Sequence, residues 1–549
     1  MTRASARGRA MRAMVGGTAM TLALSAAGHA LAADPTDEDA RIARLEAAVA
    51  ALQAQVKSQA EVSQENAALK HEVRDLEAQV AALKAAPAAT IPAAAVHSPN
   101  AVTASLTNGP PRVSTEDGRF SANLYALVQL DAGDYFQDPA GPISTDLRRS
   151  GPALGATAAN VDFAHARQLK NGTDFRRARI GVYGNAFGDF QYRVVFDFGG
   201  SGVENAGQLY EAWVQYSGWK PFRLRVGAFP PLEGLADQDS TAAQPLLERA
   251  ASADIARNFA AGDTRIAAQL SAGGDHWLAS AAVTGRTIGV ISSNGTSVPQ
   301  NFGDPLAFVG RLAATPLHGD DWRVHVGVHA SYLDRPANTG GPTNAGAPTI
   351  GTVSFGDQAE LRIDGTKLIN TGNIDARHAD EEGAEFAAQW RGLLIQSEYD
   401  HFDVQRTLTG VANPHFQGWY VEGSWVLTGE ARRYNAQTAA FDAPPVPHPI
   451  GGGGFGDLEV ALRYADMNLN FAGGDLGAAP VASAIRGGDL QTWTAGLNWY
   501  PVPYVRIALE GQHVRLWRLS PNASVFLTPV GAQIGQSYNV IAIRTQLGF

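Results

Sequence analysis

The stretch DFRRARIGVYGNAFGDFQYRVVFDFGG, residues 174–200, decides the fold. Ala178, Ile180 and Val182 fall on one side of an extended chain, and Arg177 and Arg179 on the other. After Gly188-Asp189 the alternation resumes. Phe190, Tyr192, Val194, Phe196 and Phe198 interleave with Gln191, Arg193, Val195 and Asp197. A period of two places such sets on opposite faces of a sheet. Two such runs about a Gly-Asp turn read as an antiparallel hairpin with one apolar and one polar face.

The texture continues from residue 119 to 549 in segments of about ten residues, the length a membrane barrel strand needs. A soluble sandwich would alternate in the same way, so three further patterns decide between them. Sixteen strands are predicted, beginning near residues 119, 174, 189, 207, 221, 264, 276, 306, 321, 380, 392, 416, 456, 489, 503 and 537. An even number closes an antiparallel barrel and leaves no free edge. Connections alternate in length: Gly188-Asp189, Gly273-Gly274 and Pro501-Val502 mark tight turns, whereas 132–173, 230–263 and 333–377 are long loops. Residues 429–455 break this rule, being long and rich in Pro and Gly where a short turn is due. Trp277, Trp390, Trp419, Trp493 and Trp499 lie near strand ends on the apolar face, as interfacial girdles do. In the last strand Ile541, Ile543, Thr545, Leu547 and the terminal Phe549 share one face, with Tyr538, Arg544 and Gln546 on the other. The reading is an all-β membrane barrel: a sixteen-stranded antiparallel transmembrane β-barrel over 119–549, preceded by a short α-helical coiled coil.

The N-terminal region has a different grammar. Arg3, Arg7, Arg9 and Arg12, an apolar stretch from Met14 to Ala27 and Ala30-Leu31-Ala32 predict a cleaved signal peptide over 1–32. Residues 34–86 predict a coiled coil. Leu45, Val49, Leu52 and Val56 set an a/d seam that returns at Leu69, Val73, Leu76, Val80 and Leu83 after a polar middle. Residues 87–118, rich in Ala and Pro, read as a semi-extended linker. Elsewhere no run reaches the ~20 apolar residues of a membrane helix. The chain has no cysteine, which excludes disulfides, thiolate metal sites and cysteine nucleophiles. Its net charge of -10 argues against nucleic acid as a partner.

With these residues in place, the sequence resembles the phosphate-selective porins O and P. The resemblance is carried by DGRFSANLYALVQLDAGDYF at 117–136, by 174–200, LYEAWVQY at 209–216, RVGAFPPLEG at 225–234 and LLERA at 246–250. VLTGEARRY at 426–434, the long turn after it and the terminal RTQLGF complete it. It implies a trimer of sixteen-stranded barrels in the outer membrane of a Gram-negative bacterium, each pore narrowed by an inward-folded third loop. The phosphate-binding members rely on clustered lysines beside arginine ladders. From residue 119 onward this chain has only Lys170, Lys220 and Lys367, so that cluster has no counterpart.

A pore needs a polar lumen and a constriction whose charge sorts solutes. If apolar side chains face lipid, the inward arginines are Arg177, Arg179, Arg193, Arg223, Arg225, Arg265, Arg311 and Arg323, on strands two to nine. Acids gather later, at Glu385, Glu398, Asp400, Glu422, Glu459 and Glu510, which gives an electrically divided wall. The constriction loop 230–263 carries Glu233, Asp237, Asp239, Glu248, Asp254 and Asp263 against Arg249 and Arg257. Folded inward, its acids would face the arginine wall and set up a transverse field. The expected function is passive diffusion of small hydrophilic solutes with modest anion preference. Lipid, lipopolysaccharide, a homotrimer, small solutes or anions and, through the coiled coil, peptidoglycan are the expected partners. No cofactor and no metal is expected. His325 and His329 share a strand face but lie ~13 Å apart, too far for one ion. Two other readings stay open, a tether between membrane and peptidoglycan and an outer-membrane lipase. The second lacks a Ser and a His on a matching apolar face.

Overall fold

The computed structural model describes residues 102–106, 109–137, 169–201, 207–259, 263–288, 304–337, 351–520, 531, 533 and 537–549, with scattered positions between 46 and 74. The chain divides into two units, Met1–Val96 and His97–Phe549. In the first, Glu46, Val49, Ala50, Gln53, Lys57, Lys70, His71 and Arg74 are helical. The signal peptide and the rest of the predicted coiled coil lie outside the described residues.

In the second unit sixteen strands follow one another round a closed antiparallel barrel. They are β1 (Ser121–Gln137), β2 (Gly172–Ala186), β3 (Phe190–Asp197), β4 (Gln208–Tyr216), β5 (Phe222–Phe229), β6 (Arg265–Gly273), β7 (Trp277–Thr287) and β8 (Leu306–His318). Then come β9 (Trp322–Arg335), β10 (His378–Trp390), β11 (Leu393–Gln405), β12 (His415–Val426), β13 (Asp457–Phe471), β14 (Ile485–Val502), β15 (Val505–Trp517) and β16 (Ser537–Gly548). The barrel closes between β16 and β1, with Arg544 opposite Asp131 and Leu547 opposite Val128. The terminal Phe549 and Ala126 exchange two backbone hydrogen bonds of 2.9 Å across that seam. The ring of sixteen strands is thereby closed, as a sheet in lipid requires.

Alternation survives into three dimensions. Ile180, Val182, Phe196, Val226, Leu312, Trp390, Trp493 and Ile541 stand exposed on the outer face. An apolar belt of this extent belongs against lipid. Register shifts interrupt the period at several points among the described strands, and two of them bear on the site. In β2, Gln129 faces Arg177 and the next residue, Leu130, faces Phe175, so Arg176 is an extra residue. In β4, Val195 faces Glu211 and Phe196 faces Leu209, leaving Tyr210 as the extra one. A bulge re-aims side chains that strict alternation would send to the other face.

The predicted linker over 87–118 is partly structured. Val102–Ser105 and Arg112–Thr115 pair as a hairpin, and Arg112 continues the ladder onto β1 opposite Asn123. The β-branched residues Val102, Thr103, Val113 and Thr115 favour this extended pairing, and Thr115 Oγ1 donates to Asp117 at 2.6 Å in the turn that follows.

Candidate functional site

The segment between β5 and β6 is a loop by position and a core by composition. Leu232, Leu235, Leu246, Leu247, Ile255 and Phe259 are nearly all buried. It forms two short helices, α1 (Leu235–Gln238) and α2 (Ala251–Arg257). Leu235 packs on Ala387, Leu394 and Phe441, and Ala250 and Ala253 pack on Tyr420 and Ala465. Leu247, Ile255 and Phe259 join Phe355, Leu361, Phe402, Phe416 and Met467. These partners sit on β10 to β13 and in two other connections, so the loop lies inside the barrel.

Polar anchors fix it there. The N–H groups of Leu235 and Ala236 donate to Glu398 of β11, the second at 2.9 Å. Glu248 receives Arg176 at 3.0 Å, Arg177 at 3.1 Å and Arg544 at 2.7 Å. The β2 bulge is what lets two successive arginines reach one carboxylate. Loop carbonyls are held by further guanidiniums: Ala243 by Arg432 at 2.6 Å, Gln244 by Arg506 at 2.6 Å and Glu248 by Arg463 at 2.8 Å. Charge-assisted bonds of this kind are the strong ones.

The loop's own charges are all engaged. Glu233 pairs with Arg265 at 3.3 Å and accepts from Ser331. Arg257 holds Asp237 at 2.9 Å, Asp254 at 3.3 Å and Asp263 at 2.5 Å. Asp254 also meets Arg362 at 2.7 Å. Asp239 accepts from Phe441 N at 3.0 Å and from Gln396 at 3.2 Å. Arg249 caps the carbonyls of Ala236 and Asp239 at 2.7 and 3.1 Å.

The eight arginines expected along the lumen separate into two groups. Arg177, Arg179, Arg265 and Arg311 are buried. Arg179 pairs with Asp197 at 2.7 Å beneath Tyr210, whose ring lies 3.6 Å from the guanidinium. Arg311 grips Glu385 with bonds of 2.8 and 2.7 Å and donates to the carbonyls of Thr438 and Ala439. Arg193, Arg223, Arg225 and Arg323 stay half-exposed. Arg193 meets Glu211 at 3.2 Å, Arg225 lies 4.3 Å over Trp213, and Arg323 lies 5.1 Å from the Tyr434 ring. Arg223 donates to Gln437 O at 3.4 Å and faces a cavity of about 550 Å³ lined also by Gln191, Gln215 and Lys220.

The electrically divided wall needs correction. Arg463, Arg506 and Arg544 also point inward on β13, β15 and β16, and Asp131, Asp197 and Glu211 on β1, β3 and β4 supply acids to the opposite half. Inward charge of one sign is drawn against the other because neither can be buried alone. Alternation with apolar neighbours already marked Arg463, Arg506 and Arg544 in the sequence. Arg432, Arg362 and Glu360 sit on connections, where no period exists to reveal their direction.

Two more connections enter the lumen. Phe355, Leu361, Ile363 and Ile369, between β9 and β10, are buried against the third loop. Phe441, between β12 and β13, packs on Leu235, which explains the long proline-rich turn.

Known proteins resemble this chain. The family model described as phosphate-selective porin O and P matches residues 154–549. Porin O of Pseudomonas aeruginosa is 26% identical over 420 residues, covering 71% of this chain and 89% of its own. A protein of Caulobacter vibrioides is 24% identical over 424 residues, 76% of each chain. Among solved structures, an anion-selective porin from Comamonas acidovorans aligns at 11% identity and a TM-score of 0.40, covering 78% of this chain and 100% of that one.

Proposed function

The chain belongs to the phosphate-selective porin O and P family and is a non-enzymatic channel of the Gram-negative outer membrane, and from that premise we propose that it passes small hydrophilic solutes by passive diffusion with a modest preference for anions. The observation that carries the preference is the contrast in burial around the wall. Inward side chains on β10 to β16, such as Glu398, Glu459, Arg506 and Arg544, are covered by the loops, whereas Arg193, Arg223 and Arg225 on β3 and β5 remain open to the lumen. Arg193 is met by Glu211, but the acids of the third loop are spent on partners within the protein, which leaves little negative charge to oppose Arg223 and Arg225. Arginine stays charged at any working pH and offers forked donors to phosphate or carboxylate groups. With only Lys220 beside the cavity, the anion attraction is expected to be broad and weak, without tight phosphate binding.

Replacing Arg223 and Arg225 together with Ala tests this reading in planar bilayers. The reversal potential should move toward cations, with a slight gain in conductance. Unchanged selectivity, or block of the wild-type chloride current by micromolar phosphate, would overturn it.

The assembly follows the same premise. We propose a cleaved signal peptide over 1–32, a parallel three-helix coiled coil over 38–84 beneath a trimer of barrels, and a linker ending before Val102. Lipopolysaccharide would surround the outer rim. The a/d seam supports this, and it also leaves room for a tether to peptidoglycan that coexists with the pore. Cross-linking of a peptide spanning 34–86 should give trimers, and a product that is only monomeric counts against the bundle.

A further inference from the structure

His329 of β9 lies across the wall in a place made for it. Its neighbour on β10 is Gly383, which also faces Asp400 of β11. A Cβ at Gly383 would stand 2.0 Å from His329 Nε2, so the imidazole occupies the space a side chain there would fill. It thereby reaches across β10 to the third strand.

The two ring nitrogens meet different company. Nδ1 lies 3.1 Å from Glu385 Oε1. Glu385 is gripped by Arg311 at both oxygens and approached by His325 at 3.0 Å, so it is an ionised acceptor. A carboxylate can only accept, which places the proton on Nδ1. Nε2 then faces two more carboxylates, Glu381 Oε1 at 3.1 Å and Asp400 Oδ1 at 3.3 Å. These residues are 0% and 1% exposed. Among the described residues, Glu381 Oε2 and Asp400 Oδ2 have no hydrogen-bond partner. Two buried carboxylates and an imidazole nitrogen pointed at one another call for a cation among them, either a proton on Nε2 or a metal ion in its place.

We propose that His329 Nε2, Glu381 and Asp400 bind a divalent metal ion of the borderline class represented by zinc and cobalt. One imidazole with two carboxylates suits such ions, whereas calcium and magnesium take oxygen alone. Donor atoms bound at ~2.1 Å in four- or six-coordinate geometry stand ~3.0–3.4 Å apart, as Nε2 does from Glu381 at 3.1 Å and from Asp400 at 3.3 Å, and all three donors lie within 4.8 Å of one another. Glu385 completes the arrangement by fixing the ring from behind, as carboxylates do for metal-bound histidines. The other grouping within reach, His329 with Glu385 and Glu398, is already consumed. Glu385 serves Arg311 and His325, and Glu398 serves Leu235 N, Ala236 N and Tyr420 Oη. The ion would join β9, β10 and β11 beside the third loop, where a Cβ added at Gly234 would stand 3.2 Å from His329 Cε1.

The test uses the full chain in detergent, stripped with chelator and titrated with Co²⁺ while its visible absorption is followed, with a parallel sample refolded in Co²⁺ so that burial cannot mask the site. One ion per chain, displaced by Zn²⁺, is expected. Glu381→Gln and Asp400→Asn should each weaken binding about tenfold or more, and Gly383→Ala should abolish it by expelling the imidazole. Glu382→Gln, on the outer face of the same strand, should bind as the wild type does. Absence of stoichiometric cobalt in the wild type, however prepared, overturns the proposal even if the variants fold poorly. So does undiminished binding by the folded Glu381 and Asp400 variants, which would leave a protonated His329 as the only cation. The readout is independent of conductance, so it stands or falls apart from the proposed selectivity.

Discussion

At Glu248 three guanidiniums converge on one carboxylate that is almost wholly buried, and the third loop is docked there. Removing one member of such a group leaves the others buried without compensation, which costs about 3–5 kcal/mol. Glu248→Ala is therefore expected to lower stability by about that amount in urea unfolding from lipid vesicles and to raise open-channel noise as the loop loosens. A stable, quiet channel would mean that the apolar contacts of Leu247 and Ile255 suffice. The directions of Arg177 and Arg179 were legible in the sequence, because each alternates with an apolar neighbour. That of Arg176 was not. It depends on a bulge, and a bulge is set by the partner strand. The His329 cluster was hidden for a similar reason. Spacing along one strand separates His325 from His329, while the register across three strands assembles His329, Glu381 and Asp400.

Strands and tight turns were legible as elements, since period two and Gly or Pro punctuation are local properties. The inward segments were less so. The third loop was expected inside only through the family resemblance, although its run of buried leucines and alanines is a signal that a water-facing loop would not carry. Phe355, Leu361 and Ile363 before β10, and Phe441 in the long turn, gave the same signal in connections taken as external or unexplained. Their apolar side chains fill the lumen, and their carbonyls and carboxylates satisfy wall arginines. Replacing Tyr434–Phe441 with a short Gly-Ser bridge should leave the barrel folded, judged by heat-modifiable gel mobility, and raise conductance by opening the turn end of the lumen. Unchanged conductance would show that the long turn does not limit flow.

At the largest scale the described barrel is inverted, apolar outside and charged within. The expected sixteen strands are all present, and the start of β14, at Ile485 rather than 489, is the largest displacement among them. Inversion makes a specific demand on the exposed outer face. Leu312, 59% exposed, would tolerate Arg in a soluble protein. Here Leu312→Arg should cost ~2–4 kcal/mol if the residue lies near the bilayer midplane, read as reduced folding yield into vesicles. No loss would argue that this face is not against lipid. The inner charges largely cancel in pairs, and in the proposed reading the balance rests on the half-exposed Arg223 and Arg225.

That balance is tested most directly by the reversal potential of the wild-type channel in a planar bilayer across a KCl gradient. A sign showing chloride to be moderately more permeant than potassium, shrinking as ionic strength rises and the guanidiniums are screened, is the expected result. A cation-selective potential, or one indifferent to salt, would contradict an open wall of arginine.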